Sequence, residues 1–124
     1  MILGIGVDSI EVHRFKEWHT FSRKKLSRIF SEQEIDYCLQ QPNKSAERFA
    51  VRFAAREAFF KAFSAGFSHV TIPFLTLCKQ VSIEKRGSRP VLLFDNICSQ
   101  NFTTNLSLTH TDSTAMAFVV IEQK

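Results

Sequence analysis

Glu57 and Lys61 are the residues whose spacing most directly indicates chemistry in this chain. They lie four residues apart in a stretch, residues 48–63, that contains neither Gly nor Pro. Its Ala, Arg, Glu and Lys residues favour one helix of about four turns, on which Glu57 and Lys61 share one side. Their neighbours on that side are apolar, so the carboxylate needs a cation, a metal ion or a hydrogen bond. Pairing between Glu57 and Lys61 themselves is the simpler interpretation, and the spacing alone leaves both open.

Asp8 ends an N-terminal segment that has one unusually bare face. The alternation of residues 2–8 predicts a β-strand with apolar side chains on one face. The other face carries Gly4, Gly6 and Asp8, so another part of the molecule can approach the backbone closely there. Asp8 alone could equally be the N-cap of a following helix. The two glycines do not form a dinucleotide-binding motif, because the third glycine and a preceding strand are missing.

The segment after this strand is predicted to be helical. Residues 11–29 indicate a helix that residues 20–22 would divide in two. Ser31 and Glu34 form a capping box for a second helix that ends near residue 40. A loop then leads to the long helix, with Ser45 as its expected N-cap and Gly66 as its expected C′ residue.

The second half of the chain is predicted to be mainly β-structure. Four segments have the alternation or apolar character of strands, and they cover residues 75–83, 91–94, 106–111 and 115–122. A turn is expected at residues 86–90 and a short helix at residues 96–102. Helices precede strands, with one strand at the N-terminus. The pattern therefore predicts one α+β domain over residues 1–124, with a long central helix and a C-terminal antiparallel sheet.

The bulk composition is that of a small globular protein. Hydrophobic residues make up 44% and charged residues 23% of the chain, and the 13 Phe residues indicate an aromatic-rich core. The three cysteines are odd in number and form no C-x-x-C pair, which favours a reducing compartment. Asp8 and Glu11 interrupt the early apolar run, and residues 115–121 are too few to span a bilayer. The expected location is therefore the cytoplasm, with no membrane segment.

Three motifs occur in order along nearly the whole chain: residues 4–8 (GIGVD), residues 52–58 (RFAAREA) followed by Lys61, and residues 107–111 (SLTHT). Together they resemble the holo-[acyl-carrier-protein] synthases, a family of 4′-phosphopantetheinyl transferases. Each motif alone is weak, but Asp8, the Glu57–Lys61 pair and His110 make a specific combination. The resemblance implies the 4′-phosphopantetheinyl transferase fold. It also implies a homotrimer with the coenzyme in the cleft between neighbouring subunits.

The resemblance further implies a reaction of fatty acid biosynthesis. A serine hydroxyl of an apo acyl carrier protein would attack the β-phosphate of coenzyme A, and adenosine 3′,5′-bisphosphate would leave. Asp8 and Glu57 would hold Mg²⁺ on the pyrophosphate, which agrees with the one or two carboxylates that usually bind this ion. Lys61 would contact a phosphate or steer the proton of the attacking hydroxyl. The residues implied for the coenzyme site are Lys44, Arg52, Lys61, Gly87, Pro90, Ser107 and His110.

Three features depart from the family pattern. Arg56 stands where Lys is usual, which keeps the charge. Two residues instead of the usual one separate Gly87 from Pro90, so the adenine-side turn is expected to differ in shape. Residues 64–66 read Ser-Ala-Gly rather than Gly-Thr-Gly, which alters only the end of the long helix.

The net charge of +4 is concentrated in residues 10–30. Six Lys and Arg residues there oppose only Glu11 and Glu17, while the rest of the chain balances ten against ten. A solvated surface is one interpretation and an acidic partner another. Carrier proteins of this class are acidic, so four cations of the segment are expected to dock the carrier. They are Arg14, Lys24, Lys25 and Arg28.

Two other functions compete with the enzymatic one. A small basic nucleic-acid-binding domain would use the same charge, but the chain lacks a recognition motif, zinc-ligand spacing and an exposed aromatic repeat. A carrier-binding module that has lost its chemistry is the other alternative. The retention of Asp8, Glu57 and Lys61 together argues against it.

Overall fold

The main sheet joins the two ends of the chain. The structure is a computed structural model that describes residues 1–95 and 101–124. In chain order the elements are β1 (Ile2–Glu11), α1 (Arg23–Leu26), α2 (Glu32–Leu39), α3 (Ser45–Gly66), α4 (Phe74–Lys79), β2 (Val81–Arg86), β3 (Arg89–Phe94), β4 (Phe102–His110) and β5 (Thr114–Gln123), with 3₁₀ turns at Val12–Phe15, Trp18–Thr20 and Pro42–Lys44. One antiparallel sheet has the order β1-β5-β4, and β2 pairs with β3 in a second, two-stranded sheet. The α+β prediction is confirmed, with β1 completing the C-terminal sheet.

Helix α3 lies directly on the bare face of β1. Gly4 and Gly6 are buried there, and a Cβ atom on Gly6 would collide with the carbonyl oxygen of Ala58. A Cβ on Gly4 would collide in the same way with the carbonyl oxygen of Ala62. Small residues on both elements thus allow backbone-to-backbone packing. The predicted close approach to this face is confirmed, and the approaching element is the long helix itself.

The second sheet is a tight hairpin. Arg86 pairs with Arg89, so the loop between β2 and β3 consists of Gly87 and Ser88 alone. Gly87 has a φ of 67°, a left-handed conformation that a two-residue hairpin turn favours and that Gly adopts at least cost. The extra residue before Pro90 therefore forms a regular turn, and Pro90 itself lies within β3 opposite Lys85.

The core is rich in aromatic rings, as the composition predicted. Phe59 and Phe63 of α3 pack toward Phe102 of β4, and Phe94 stacks on Phe102 with ring centroids 4.6 Å apart. Cys38 and Cys78 are buried in the same interior, and burial raises the pKa of each thiol to about 12. Both therefore act as packing residues. Among the helices of the described ranges, none is long and apolar enough to cross a membrane.

The helix predicted over residues 11–29 is wrong. Strand β1 continues to Glu11, and the segment then forms two 3₁₀ turns and the single-turn helix α1. Val12, Phe15 and Leu26 are buried, but they do not continue one helical period, so short turns present them to the core. The predicted break is confirmed, because the Ser22 hydroxyl accepts a 3.2 Å hydrogen bond from the Lys25 amide and begins α1.

The strand predicted over residues 75–83 is also partly wrong, because its first half is helix α4. Leu75 and Leu77 would share one strand face, but Leu75 is exposed and Leu77 is buried. The helix begins after Pro73, whose fixed φ suits a helix start. Most of the helix predicted over residues 96–102 lies outside the described residues, and Phe102 belongs to β4.

The predicted caps of α3 are wrong in detail, although its extent is as predicted. Lys44 occupies the N-cap, and Ser45 is the first helical residue. Gly66 is the last helical residue, and its φ is not positive. A Cβ atom on Gly66 would lie 3.0 Å from the carbonyl oxygen of Leu3. Its small size therefore serves the packing of α3 on β1 rather than a C-cap.

We expect Gly6→Ala to destabilise the protein by about 3 kcal/mol or more, because the new methyl group meets helix backbone that cannot move aside. Ser9→Ala, on the exposed face of the same strand, is the matched control and should cost less than about 0.5 kcal/mol. Urea unfolding monitored by circular dichroism measures both. Equal stability of the two variants would contradict the close packing of α3 on β1.

Candidate active site and ligand pocket

Asp8 and Lys61 meet where α3 crosses β1. The Lys61 ammonium donates to Asp8 Oδ1 at 3.1 Å and to the carbonyl oxygen of Val7 at 3.0 Å. Asp8 lies within β1, three residues before its end, so its interpretation as a helix N-cap is wrong. The interpretation that Glu57 simply pairs with Lys61 is wrong as well, because Lys61 forms its ion pair with Asp8. The chain thus brings together two of the three predicted catalytic residues through direct contact.

Glu57 completes this cluster as a half-buried carboxylate. Burial raises its pKa, and the neighbouring charge of Asp8 raises it further, while Lys61 and Arg14 act in the opposite direction. A cation placed between the two carboxylates would relieve the repulsion that Asp8 exerts on the charge of Glu57. Within the described residues no group of three or more His, Cys, Asp and Glu side chains is arranged for a metal. A pair of carboxylates suits Mg²⁺, which keeps water and phosphate oxygens as its other ligands.

A separate cavity of about 330 Å³ opens on the other side of α3. Its wall includes Lys44, Arg52, Pro90 and His110, four of the residues predicted for the coenzyme site. Arg48 and Lys85 add two more cations, and the rest of the lining consists of Tyr37, Glu47, Val51, Ser88 and Leu108. A concave wall with this many cations attracts a polyanionic ligand, such as one that carries phosphate groups.

Three of the residues predicted for the coenzyme site do not line this cavity: Lys61, Gly87 and Ser107. Lys61 lies instead beside Asp8. Gly87 forms the hairpin turn next to Ser88, which does line it. Ser107 is exposed and pairs in register with Phe118 on the outer face of the main sheet. Successive side chains of a strand point to opposite faces, so Ser107 cannot share the cavity with Leu108 and His110 of its own chain.

Arg56 and Glu34 form a buried ion pair that the sequence did not predict. Arg56 is fully buried, and its guanidinium binds both carboxylate oxygens of Glu34 at 2.5 and 2.9 Å. It also donates to the carbonyl oxygen of Val81 at 2.8 Å. Ser31 and Glu34 form the predicted capping box, so this carboxylate has two roles. The first role, in the capping box, follows from the local sequence. The second role, as the partner of Arg56, becomes visible only because Arg56 is buried, which no local pattern indicates.

The outer face of the main sheet is apolar and exposed. Its large side chains are Ile5 (53% exposed), Val7 (50%), Met116 (40%) and Phe118 (43%). They are neighbours, because Val7 pairs with Phe118 and the β1 and β5 strands are adjacent. A contiguous patch of this kind on a small chain is typical of an interface with another protein surface.

The basic segment, residues 10–30, is mostly exposed, but its cations differ in the partners that they contact. Arg23 is neutralised by Glu32 and Asp36, with distances of 2.8 and 2.5 Å. Lys25 lies 3.8 Å above the ring of Phe21. Lys24 and Arg28 are exposed, and Arg14 is close enough to Glu57 to affect its ionisation. The positive surface therefore extends to the Asp8–Glu57–Lys61 cluster.

Comparisons with known proteins agree with this geometry. The family model of the 4′-phosphopantetheinyl transferase superfamily matches residues 4–119. The chain is 38% identical to a holo-[acyl-carrier-protein] synthase of Treponema denticola, covering 98% of this chain and 99% of the relative. It is 36% identical to one from Clostridium perfringens, covering 98% and 95%.

Solved structures of holo-[acyl-carrier-protein] synthases have the same fold as this chain. A holo-(acyl-carrier-protein) synthase from Bacillus anthracis, in complex with CoA (3′,5′-ADP), superposes with a TM-score of 0.78 at 28% identity and covers 100% of this chain and 99% of that one. The Helicobacter pylori enzyme in complex with coenzyme A gives 0.73 at 26% identity, with coverage of 95% and 99%.

We expect Glu57→Gln to raise the midpoint temperature of unfolding at pH 7 in metal-free buffer. The raised pKa of Glu57 means that its protonated form is favoured by the fold. The stability that protonated Glu57 contributes to the folded state is fully present below the ordinary pKa of a glutamate. It is lost as pH rises through the pKa that Glu57 has in the folded state. The advantage of Gln over Glu should therefore shrink toward about pH 4. Glu17→Gln, at an exposed position, is the control, and calorimetry at both pH values measures the effect. A gain for Glu57→Gln that is the same at both pH values would contradict the environment described for Glu57.

Proposed function

The chain belongs to the 4′-phosphopantetheinyl transferase superfamily, and we propose that it transfers the 4′-phosphopantetheine arm of coenzyme A to a serine of an apo acyl carrier protein. Adenosine 3′,5′-bisphosphate is the second product. The observation that carries the proposal is the cluster of Asp8, Glu57 and Lys61 at the crossing of β1 and α3. Phosphoryl transfer depends on positioning and on charge neutralisation, and this cluster supplies the groups for both.

Asp8 and Glu57 are the residues that would hold Mg²⁺. The charge of Asp8 disfavours the charge of Glu57, so a cation between the two carboxylates is favoured, and their oxygen donors suit a hard ion. When bound, Mg²⁺ would neutralise the charge of the pyrophosphate. Lys61 is oriented by Asp8 and by the Val7 carbonyl, so its ammonium can meet phosphate charge without searching many side-chain conformers.

The cationic cavity binds the nucleotide end of the coenzyme in this proposal. Lys44, Arg52, Pro90 and His110 line it together. Arg52 and Glu57 are five residues apart on α3, which is a rotation of roughly 140° around the helix axis. The cavity and the carboxylate pair of one chain therefore lie on different sides of α3. A coenzyme that contacts both a cationic cavity and a carboxylate pair is then best accommodated between two subunits, with the cavity from one subunit and the carboxylates from the other.

A homotrimer supplies such a cleft and covers the apolar outer face of the main sheet. Ile5, Val7, Met116 and Phe118 would be buried between subunits, which removes their exposed area from water. Ser107 lies on that same face, so a neighbouring subunit would bring it to a shared site. Gly87 would contribute through the hairpin turn that it forms beside the cavity.

The basic segment provides the docking surface for the acidic carrier protein. Arg14, Lys24, Lys25 and Arg28 lie after the end of β1, and Arg14 lies beside Glu57. Their charge would steer the carrier so that its serine approaches the Asp8–Glu57–Lys61 cluster. Once the family is known, an acidic carrier explains this charge more directly than a nucleic acid.

Asp8→Ala and Glu57→Ala are each expected to lower transfer by about 100-fold or more, because one carboxylate alone holds a reluctantly dehydrated ion poorly. The wild-type chain should lose activity in a chelator and regain it with Mg²⁺. The mass of an apo acyl carrier protein after incubation with coenzyme A measures transfer. Asp36→Asn, a change at an exposed carboxylate on α2, is the control and should remain active. Absence of any mass gain with the folded wild-type chain would refute the proposed function.

Phe118→Asp is expected to dissociate the trimer, because it places a charge in the centre of the apolar face. Sedimentation equilibrium at micromolar concentration measures the assembly. Leu75→Asp replaces another exposed apolar residue, on α4, and should leave the trimer intact. A wild-type monomer that stays fully active on dilution would contradict the shared site.

Arg28→Glu is expected to raise KM for the carrier protein several-fold and to leave KM for coenzyme A nearly unchanged, since rim charges act on encounter. Wild-type KM for the carrier should rise with salt, and the variant should respond less. Lys124→Glu is the control, because β5 carries that residue to the opposite end of the sheet from Glu11. Carrier kinetics that respond neither to Arg28→Glu nor to salt would exclude this docking surface.

A further inference from the structure

Tyr37 of α2 lies among three cations at the wall of the cationic cavity. The guanidinium carbons of Arg48 and Arg52 are 3.9 and 4.6 Å from the centre of its ring. The ammonium of Lys85 is 5.4 Å from the ring centre and 3.2 Å from the phenol oxygen. These cations come from two other elements, α3 and β2, so Tyr37 is the residue at which α2, α3 and β2 meet in the cavity wall.

Each cation is held by this tyrosine in a different way. Arg48 donates a 2.7 Å hydrogen bond to the carbonyl oxygen of Tyr37, and its guanidinium lies against the ring. Lys85 donates to the phenol oxygen. Arg52 is nine-tenths buried, and its Nε atom has no hydrogen-bond partner among the described residues. The ring therefore orients three cations without neutralising any of them.

Carboxylates near the cavity compensate only part of this charge. Glu34 is 3.9 Å from Arg52 Nε, but both of its oxygens already bind Arg56. Glu47 pairs with His110 at 3.2 Å. Burial acts to raise the pKa of Tyr37, but the Lys85 hydrogen bond and the charges of Arg48 and Lys85 outweigh it and lower that pKa. The surroundings of Tyr37 are therefore electropositive, which favours a ligand with concentrated negative charge.

We propose that Tyr37 is a positioning residue for coenzyme A, which gathers Arg48, Arg52 and Lys85 around the phosphate on the ribose of the nucleotide. The inference rests on the proposed function, which gives the pyrophosphate to Asp8, Glu57 and Lys61. The remaining phosphate of coenzyme A, on the ribose, is then the group left for the cavity. Planar guanidinium groups suit its oxygens, and a preoriented set loses less side-chain freedom on binding.

The consequence is discrimination between coenzyme A and dephospho-coenzyme A, which lacks that phosphate. Loss of the Tyr37 ring should disperse the cations and weaken binding of the phosphate. It should not slow the chemical step, because no group of the Asp8–Glu57–Lys61 cluster is touched. The effect should therefore appear in KM and in product affinity, and kcat should be nearly unchanged.

Tyr37→Leu and Tyr37→Phe separate the ring from the hydroxyl. We expect Tyr37→Leu to raise KM for coenzyme A, and the Kd of adenosine 3′,5′-bisphosphate, by about 10-fold with kcat within about twofold. KM for dephospho-coenzyme A should change less than about twofold. Tyr37→Phe keeps the ring and should stay within about threefold of the wild type for every ligand. Calorimetric titration with adenosine 3′,5′-bisphosphate gives the affinity without any carrier protein.

Lys85→Met tests the same cluster at an exposed position where folding is not in question. It should weaken adenosine 3′,5′-bisphosphate several-fold, while Lys79→Met, at an exposed position on α4, should not. Unchanged affinity in Lys85→Met, or equal losses of coenzyme A and dephospho-coenzyme A in Tyr37→Leu, would overturn the inference. A wild-type chain that binds the bisphosphate but transfers nothing would refute the proposed function and leave this role of Tyr37 standing. If the wild-type chain transfers normally and these variants behave like the wild type, the proposed function stands and the role of Tyr37 is refuted.

Discussion

The contact on which the rest of the structure depends is the packing of α3 on β1 without intervening side chains. Gly4 and Gly6 allow the backbone of the strand to approach the carbonyl groups of Ala58 and Ala62. A larger residue on either strand position would move the two elements apart by about the radius of a methyl group or more. Asp8 is on the same strand face and Lys61 on the same helix, so their 3.1 Å contact exists only at this short spacing. The bare strand face is thus a condition for the site as well as for the core.

Different sides of helix α3 carry residues with different contacts. Glu57 and Lys61 share one side and Arg52 lies roughly 140° from Glu57, while Arg56 points into the interior and is fully buried. A helix that carries the proposed catalytic cluster and one wall of the cationic cavity on different sides, with a buried charge between them, leaves little of its surface to solvent. This explains why its sequence is apolar nearly all round yet contains three arginines.

The sequence could predict those parts of the site that depend on local spacing. The extent of α3, the bare face of β1 and the Glu57–Lys61 side follow from periodicity. The family resemblance added Arg52 and His110 through its motifs and Lys44 through the basic character expected before the long helix, and the cavity brings the three together. The segment after β1 was predicted as a helix because its apolar residues are frequent, but their burial is decided by packing against α3. Tyr37 was not identified, because its role comes from contacts with α3 and β2, eleven or more residues away along the chain.

The buried pair of Glu34 and Arg56 gives α2 its orientation. Removing two charges from water is costly, so such a pair adds little net stability compared with apolar residues, but breaking it leaves an uncompensated charge. Its bidentate geometry fixes the rotation of α2 relative to α3. Tyr37 is three residues after Glu34 and so lies on the same side of α2, one turn further along. The pair therefore directs the Tyr37 ring toward Arg48 and Arg52. In the role proposed for Tyr37, an interaction that is nearly neutral for folding would serve to arrange the cavity wall.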